Sequence, residues 1–130
     1  MKKTHVYPGR SVHITREDLG GRVRLRINKE YEPEGVSFAP TVRNALEGVP
    51  FYYTRERKDW GRRRRFLKEG DEWYVYTPVR KRVAIIPGTV DDYKRTRERR
   101  VLSEVEVRRV GKIKVKIGNN RWEYQWMSVV

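Results

Sequence analysis

Arginine, lysine and aromatic side chains are concentrated between residues 51 and 68, where they could bind phosphate groups and stack on nucleobases. Guanidinium groups bind phosphate or carboxylate in a bidentate way, and aromatic rings offer stacking surfaces to bases. The segment therefore predicts contact with a polyanion, without distinguishing DNA, RNA and an acidic protein surface. The residues that would make this contact are Arg55, Arg57, Trp60, Arg62, Arg63, Arg64, Arg65, Phe66 and Lys68.

The same region has a simpler interpretation, which is a basic surface excursion spanning residues 51–70. No hydrophobic period survives there, and its like charges repel one another unless an anion neutralises them. The binding interpretation is favoured because the whole chain has 31 Lys+Arg against 17 Asp+Glu, a formal net charge of +14. A surplus of this size favours a polyanionic partner. Ion-pair networks of the thermophile type would use only those arginines that have acidic partners.

Two predicted strands carry further basic faces, at residues 22–27 and 112–117. In each, apolar and basic side chains alternate, which is typical of a half-buried strand. Lysine on an edge strand also prevents aggregation, so the lysine face has two open interpretations. The outward side chains are Arg22, Arg24, Arg26, Lys112, Lys114 and Lys116.

The elements that would position these groups form an α+β pattern. Residues 72–77 predict a strand with two aromatic or apolar faces, and residues 82–86 predict a strand buried on both faces. Residues 40–48 predict a short helix, with proline near its start and glycine after its end. A single helical turn is predicted at residues 15–19, and residues 89–100 suit either a short helix or a loop.

Together these elements predict one domain covering residues 1–130. Its core would be a twisted, mostly antiparallel sheet with two or three short helices. No apolar run approaches the ~20 residues needed to span a bilayer, so no membrane partner is expected. The chain has no cysteine and only two histidines, and we expect no metal site. His13-Ile14-Thr15 matches the His-x-Thr unit of two-histidine phosphoesterases, but a second unit is missing.

Short motifs in order along residues 4–117 resemble a family of small uncharacterised bacteriophage and prophage proteins. That family has a histidine near the start, a Leu-x-Pro-Arg-like strand, a strand-to-helix joint, a Val-Tyr-x-Pro strand, a Thr-Gly-Glu turn and a closing Lys-Ile-x-Val. The resemblance implies a phage-type protein. Since the N-terminus lacks an apolar signal-peptide segment, we expect it in the cytoplasm of a bacterial host. The matching residues are His5, Leu25-Arg26-Ile27, Phe38-Ala39-Pro40-Thr41, Tyr74-Val75-Tyr76-Thr77-Pro78, Thr96-Arg97-Glu98 and Lys112-Ile113-Lys114-Val115.

The same order is similar, more loosely, to the layout of ADP-ribosyltransferases. The resemblance implies that His5 contacts the ribose of NAD and that Phe38 or Thr41 lies near the nicotinamide. It implies Glu98 as the catalytic acid, since a fixed carboxylate stabilises positive charge that develops on the sugar. The alternative role for Glu98 is ion pairing with its neighbours Arg95, Arg97, Arg99 and Arg100.

Three functions therefore stay open, in the following order. We expect a small basic phage-type binding protein that needs no cofactor. Its partner would be nucleic acid or a protein of the host nucleic-acid machinery, such as the transcription apparatus. The second hypothesis is an active or degenerate ADP-ribosyltransferase-like enzyme that uses NAD. The third is a nucleotide-binding sponge that counters host defence without catalysis.

Overall fold

The computed structural model describes residues 2–49, 67–88, 90–119 and 121–127. Most of these residues form antiparallel sheet, with two short helices, as the α+β prediction requires. No helix within these ranges is long and apolar enough to cross a membrane. The helices are α1 (Val42–Glu47) and α2 (Val90–Thr96). The strands are β1 (Lys3–Val6), β2 (His13–Thr15), β3 (Arg22–Leu25), β4 (Val36–Phe38), β5 (Glu72–Pro78), β6 (Arg82–Ile85), β7 (Arg99–Val101), β8 (Val105–Gly118) and β9 (Arg121–Met127).

The strands form two sheets that enclose a first core between them. The first sheet has the order β1-β6-β7-β4, and the second has the order β2-β5-β8-β3 with β9 also paired to β8. Apolar side chains from both sheets meet in the first core, because each strand turns alternate residues to the same side. The buried members of this core are Val6, Leu25, Val36, Phe38, Tyr76, Ala84, Val101, Val105 and Val107.

A second core lies on the other face of the second sheet, where α1 packs. Val42 and Leu46 are the buried residues of this helix, as its predicted apolar stripe requires. Thr41 begins the helix as its N-cap, and its Oγ1 accepts a hydrogen bond from the Asn44 N–H at 3.1 Å. The buried partners of α1 in the second core are Leu67, Trp73, Val75, Ile113, Val115 and Trp122.

The long strand β8 contributes to both cores because it contains a bulge. Val75 of β5 pairs with Gly111, but Tyr76 pairs with Arg109, so Val110 has no partner on β5. The extra residue reverses the side to which odd-numbered residues point. Val107 therefore lies in the first core, whereas Ile113 lies in the second.

Two local predictions are wrong. Residues 15–19 do not form a helical turn, because their polar groups bind Tyr76 instead. The Leu19 N–H donates to the Tyr76 hydroxyl at 2.9 Å, and that hydroxyl donates to the Gly20 carbonyl at 2.9 Å. Nor is β6 buried on both faces. Val83 is 58% exposed, because only one face of the first sheet packs against the first core.

Candidate functional site

Most of the predicted polyanion-binding residues lie outside the described residues. These are Arg55, Arg57, Trp60, Arg62, Arg63, Arg64, Arg65 and Phe66. Lys68 is described, and it lies exposed in the turn before β5. Its backbone N–H donates to Asp71 Oδ2 at 2.9 Å. This hydrogen bond does not involve the ammonium group of Lys68.

The basic faces predicted on the strands are partly neutralised by glutamates. Arg22 lies 2.6 Å from Glu106, and Arg24 lies 3.8 Å from Glu104. Lys112 forms an ion pair with Glu72. The aggregation-blocking interpretation is wrong for Lys112 and Lys114, because β8 pairs there with β5 on one side and with β9 on the other. Lys116 lies beyond the end of β5 and pairs with β9 alone.

A cavity of about 350 Å³ opens where the edge strands of the two sheets meet. Val12, just before β2, and Ala39, just after β4, exchange backbone hydrogen bonds of 2.7 and 2.9 Å and so join the sheets at this point. The walls of the cavity come from β2, β4, α1, β5 and the segment around β7.

A mostly buried ion pair forms one wall of this cavity. Arg100 Nη2 lies 3.0 Å from Glu98 Oε2, and the Ser37 hydroxyl donates to the same oxygen at 2.6 Å. The guanidinium group also donates to the Pro33 carbonyl at 2.8 Å and lies 4.3 Å from the centre of the Tyr31 ring. Since the two charges compensate each other, this wall is polar but close to neutral.

His13 lies on the same cavity in a defined tautomer. Its Nδ1 is 2.8 Å from the Ser37 carbonyl oxygen, which can only accept, so Nδ1 carries the proton. Its ring also meets the Phe38 ring edge-on, at 5.9 Å between centroids. Burial lowers the pKa of His13 below its ordinary value of 6.5, and the bond to Ser37 opposes this only in part. The neutral ring therefore has a lone pair on Nε2.

The depressed pKa of His13 predicts acid-sensitive stability. Below about pH 6.5 the unfolded chain binds a proton on this residue that the folded chain excludes, so stability falls as the pH falls. The slope from this residue is at most about 1.4 kcal/mol per pH unit. His13→Asn keeps a donor for the Ser37 carbonyl but cannot titrate. Urea unfolding at about pH 8 and about pH 5.5 should show a smaller difference for this variant. An identical difference in both proteins would contradict the prediction.

Two buried donors belong to residues that line the cavity, and they have no acceptor among the described residues. They are Trp73 Nε1 and Arg100 Nε, on side chains of residues that are 8% and 6% exposed. A buried donor without an acceptor is costly, so such groups usually indicate water or a ligand. Arg16 stacks on Trp73, with its guanidinium carbon 4.5 Å from the ring centre.

Four cations, which we call the α2–β7 rim, flank the cavity-lining residues Thr96 and Glu98 along the chain. The rim consists of Lys94, Arg95, Arg97 and Arg99. A smaller cavity of about 200 Å³, lined by Tyr93 and Arg95, shares Gly48, Thr96 and Glu98 with the larger one.

The predicted ion pairing around Glu98 holds for Arg100, but Arg97 and Arg99 contact Tyr93 instead. The Arg97 guanidinium lies 5.1 Å from the Tyr93 ring centre, and Arg99 Nη2 donates to the Tyr93 hydroxyl at 3.3 Å. Neither of these contacts neutralises a positive charge. Arg97 and Arg99 therefore keep their positive charge next to Glu98, which lines the nearly neutral cavity.

The residues implied by the enzyme resemblance are only partly brought together. Phe38 and Glu98 line the same cavity. His5 lies on β1, at the opposite edge of the first sheet from β4, roughly 14 Å away at the usual strand spacing. Thr41 serves as the N-cap of α1.

Sequence reasoning did not place His13, Ser37, Trp73 or Arg100 in a common cavity, although His13 was noted for a His-x-Thr unit and Arg100 as a partner of Glu98. One signal was present, because Glu98 and Arg100 are two residues apart and so share a side of an extended chain. No protein-family model, curated protein or solved structure matches the chain in the comparisons made with each.

Proposed function

We propose that this protein binds a polyanion, and that nucleic acid is the partner. The observation that carries the proposal is the positive charge of Arg97 and Arg99 in the α2–β7 rim, next to Glu98 of a polar, aromatic-lined cavity. Arg97 and Arg99 are held by an aromatic ring rather than by carboxylates, so their charge is available to phosphate. The strand-face arginines Arg22 and Arg24 have glutamate partners and are weaker candidates.

The chemistry of the rim suits a phosphate backbone. Arginine binds phosphate through a planar fork of donors, and it does so without losing its charge at any physiological pH. Neutralising phosphates also releases condensed counterions, which supplies much of the affinity and makes it dependent on salt. The basic sequence between residues 51 and 68 would add to this attraction. A protein of the host nucleic-acid machinery is the alternative partner, and its binding would survive nuclease treatment.

The salt dependence of binding tests the proposal. We expect Arg97→Gln combined with Arg99→Gln to weaken binding of a fluorescently labelled single-stranded oligonucleotide, measured by anisotropy across a salt series. The slope of log affinity against log salt should fall by roughly 0.7 for each phosphate that the variant no longer neutralises, or about 1.4 for two phosphates. Arg22→Gln combined with Arg24→Gln is the matched control, since it removes the same charge from a glutamate-paired face.

The control variant should change the slope much less than the rim variant. A further variant that neutralises Arg62, Arg63, Arg64 and Arg65 applies the same test to the sequence-predicted segment. Unchanged affinity and slope in both the rim variant and this fourfold variant would refute the proposal.

The second candidate is an ADP-ribosyltransferase-like enzyme, favoured by the shared position of Phe38 and Glu98 on one cavity. The separation of His5 from Phe38 across the first sheet counts against it, although His13 supplies a different imidazole at the cavity. NAD consumption by the wild-type protein that is lost in Glu98→Gln would support the enzyme, and no consumption would exclude it. Nucleotide identified by mass spectrometry in purified protein would instead favour the sponge.

A further inference from the structure

Residues that line the 350 Å³ cavity carry hydrogen-bonding groups without a partner in the described part of the protein. Trp73 Nε1 and Arg100 Nε are donors without acceptors. Glu98 receives both of its described bonds at Oε2, so Oε1 is left as an acceptor, and His13 Nε2 has a lone pair. A ligand that complements these groups must present acceptors and donors together.

The charge, aromatic walls and volume of the cavity restrict the chemical class of the ligand further. The Glu98–Arg100 pair compensates its own charges, so a neutral group suits the cavity better than a phosphate does. Phe38, Tyr31 and Trp73 add aromatic surface to the walls. A volume of about 350 Å³ lies at the small end of the range for ligand pockets and suits one or two flat rings. A nucleobase is neutral and flat, and its edges carry both donors and acceptors.

We propose that the cavity binds one unpaired nucleobase of a single-stranded nucleic acid, while the neighbouring phosphates lie along the α2–β7 rim. This inference rests on the proposed function and adds strand selectivity to it. In a duplex the base is paired and stacked, so it would have to be extruded before it could enter the cavity. A single strand offers its bases without that cost, and aromatic side chains bind such bases with little sequence preference.

Three labelled DNA probes of equal length test the inference with the wild-type protein at one salt concentration. They are a single strand, the corresponding duplex, and a single strand in which abasic sites replace the bases and keep every phosphate. We expect the single strand to bind about tenfold more tightly than the other two, or more. Equal binding of all three would overturn the inference but leave the proposed function standing. Binding of none of them would refute the proposed function itself.

Trp73→Phe tests whether the cavity causes the preference for a single strand with bases, because the substitution keeps an aromatic ring and removes the unpaired N–H. We expect the affinity of this variant for the single strand to be several times lower than that of the wild-type protein. Its affinity for the abasic strand should be unchanged. Tyr7→Phe, an exposed position away from the cavity walls, is the control and should change neither. His13→Asn provides a second cavity variant if Trp73→Phe unfolds, as judged by thermal melting. Equal losses for both strands in the cavity variants would overturn the assignment.

Discussion

Gly35→Ala is expected to destabilise the protein by about 3 kcal/mol, at the upper end of what overpacking costs. An added Cβ would lie 2.5 Å from the Val101 carbonyl oxygen and 2.7 Å from Arg100 Cγ. The first of these neighbours is backbone in β7, which is fixed by pairing with β4, and so it cannot move aside cheaply. The second belongs to the side chain that forms the cavity wall. Urea unfolding should therefore show a lower midpoint, and ligand binding in the cavity should weaken as well.

Gly21→Ala is the matched control for this change. No atom lies within 4 Å of an added Cβ at Gly21, and its backbone is not in the left-handed region. Alanine there should be neutral or slightly stabilising, because it restricts the unfolded chain. Equal midpoints for Gly35→Ala and Gly21→Ala would show that the close approach at Gly35 does not exist.

Glu98→Leu should cost about 2–3 kcal/mol, since it leaves the Arg100 guanidinium without its counter-charge. Removing one partner of a fully buried pair typically costs about 3–5 kcal/mol. The loss should be smaller here because the Glu98 side chain is 27% exposed, against 8% for Arg100. The Ser37 hydroxyl also loses its acceptor. Glu98→Gln keeps an oxygen for both donors and should cost less. Chemical denaturation of the three proteins at neutral pH provides the comparison.

The double variant Glu98→Leu with Arg100→Met makes the sharper test. Replacing both members of a buried pair with apolar groups is often neutral or stabilising. The double variant should therefore be more stable than Glu98→Leu alone. If its loss equals the sum of the two single losses, Glu98 and Arg100 are not coupled and their ion pair does not stabilise the cavity wall.

Strand positions in this protein were predictable where a strand has one buried and one polar face. Residues 112–117 alternate in sequence, and Ile113 and Val115 are buried as expected. The strand at residues 72–77 is also confirmed, with Trp73 and Tyr76 in different cores. The exposure of Val83 was not predictable, because an apolar run does not show whether a second layer covers it.

The candidate site was harder to predict than the fold. Phe38 and Glu98 were identified, but only through a resemblance of motif order. His13 and Ser37 come together across the joint between two sheets, and this contact depends on which edge strands become neighbours. Local spacing carries no information about that choice. The functional roles assigned to all of these residues, and the single-domain organisation, stay predictions.

The bulge at Val110 couples the unfolding of the two cores. Because β8 contributes residues to both cores, the two clusters of apolar side chains share part of their backbone. Loss of order in one core would remove strand pairing of β8 on which the other core depends. The described parts of the chain should therefore melt cooperatively. Any ligand bound beside Trp73 would raise the melting temperature of both cores together.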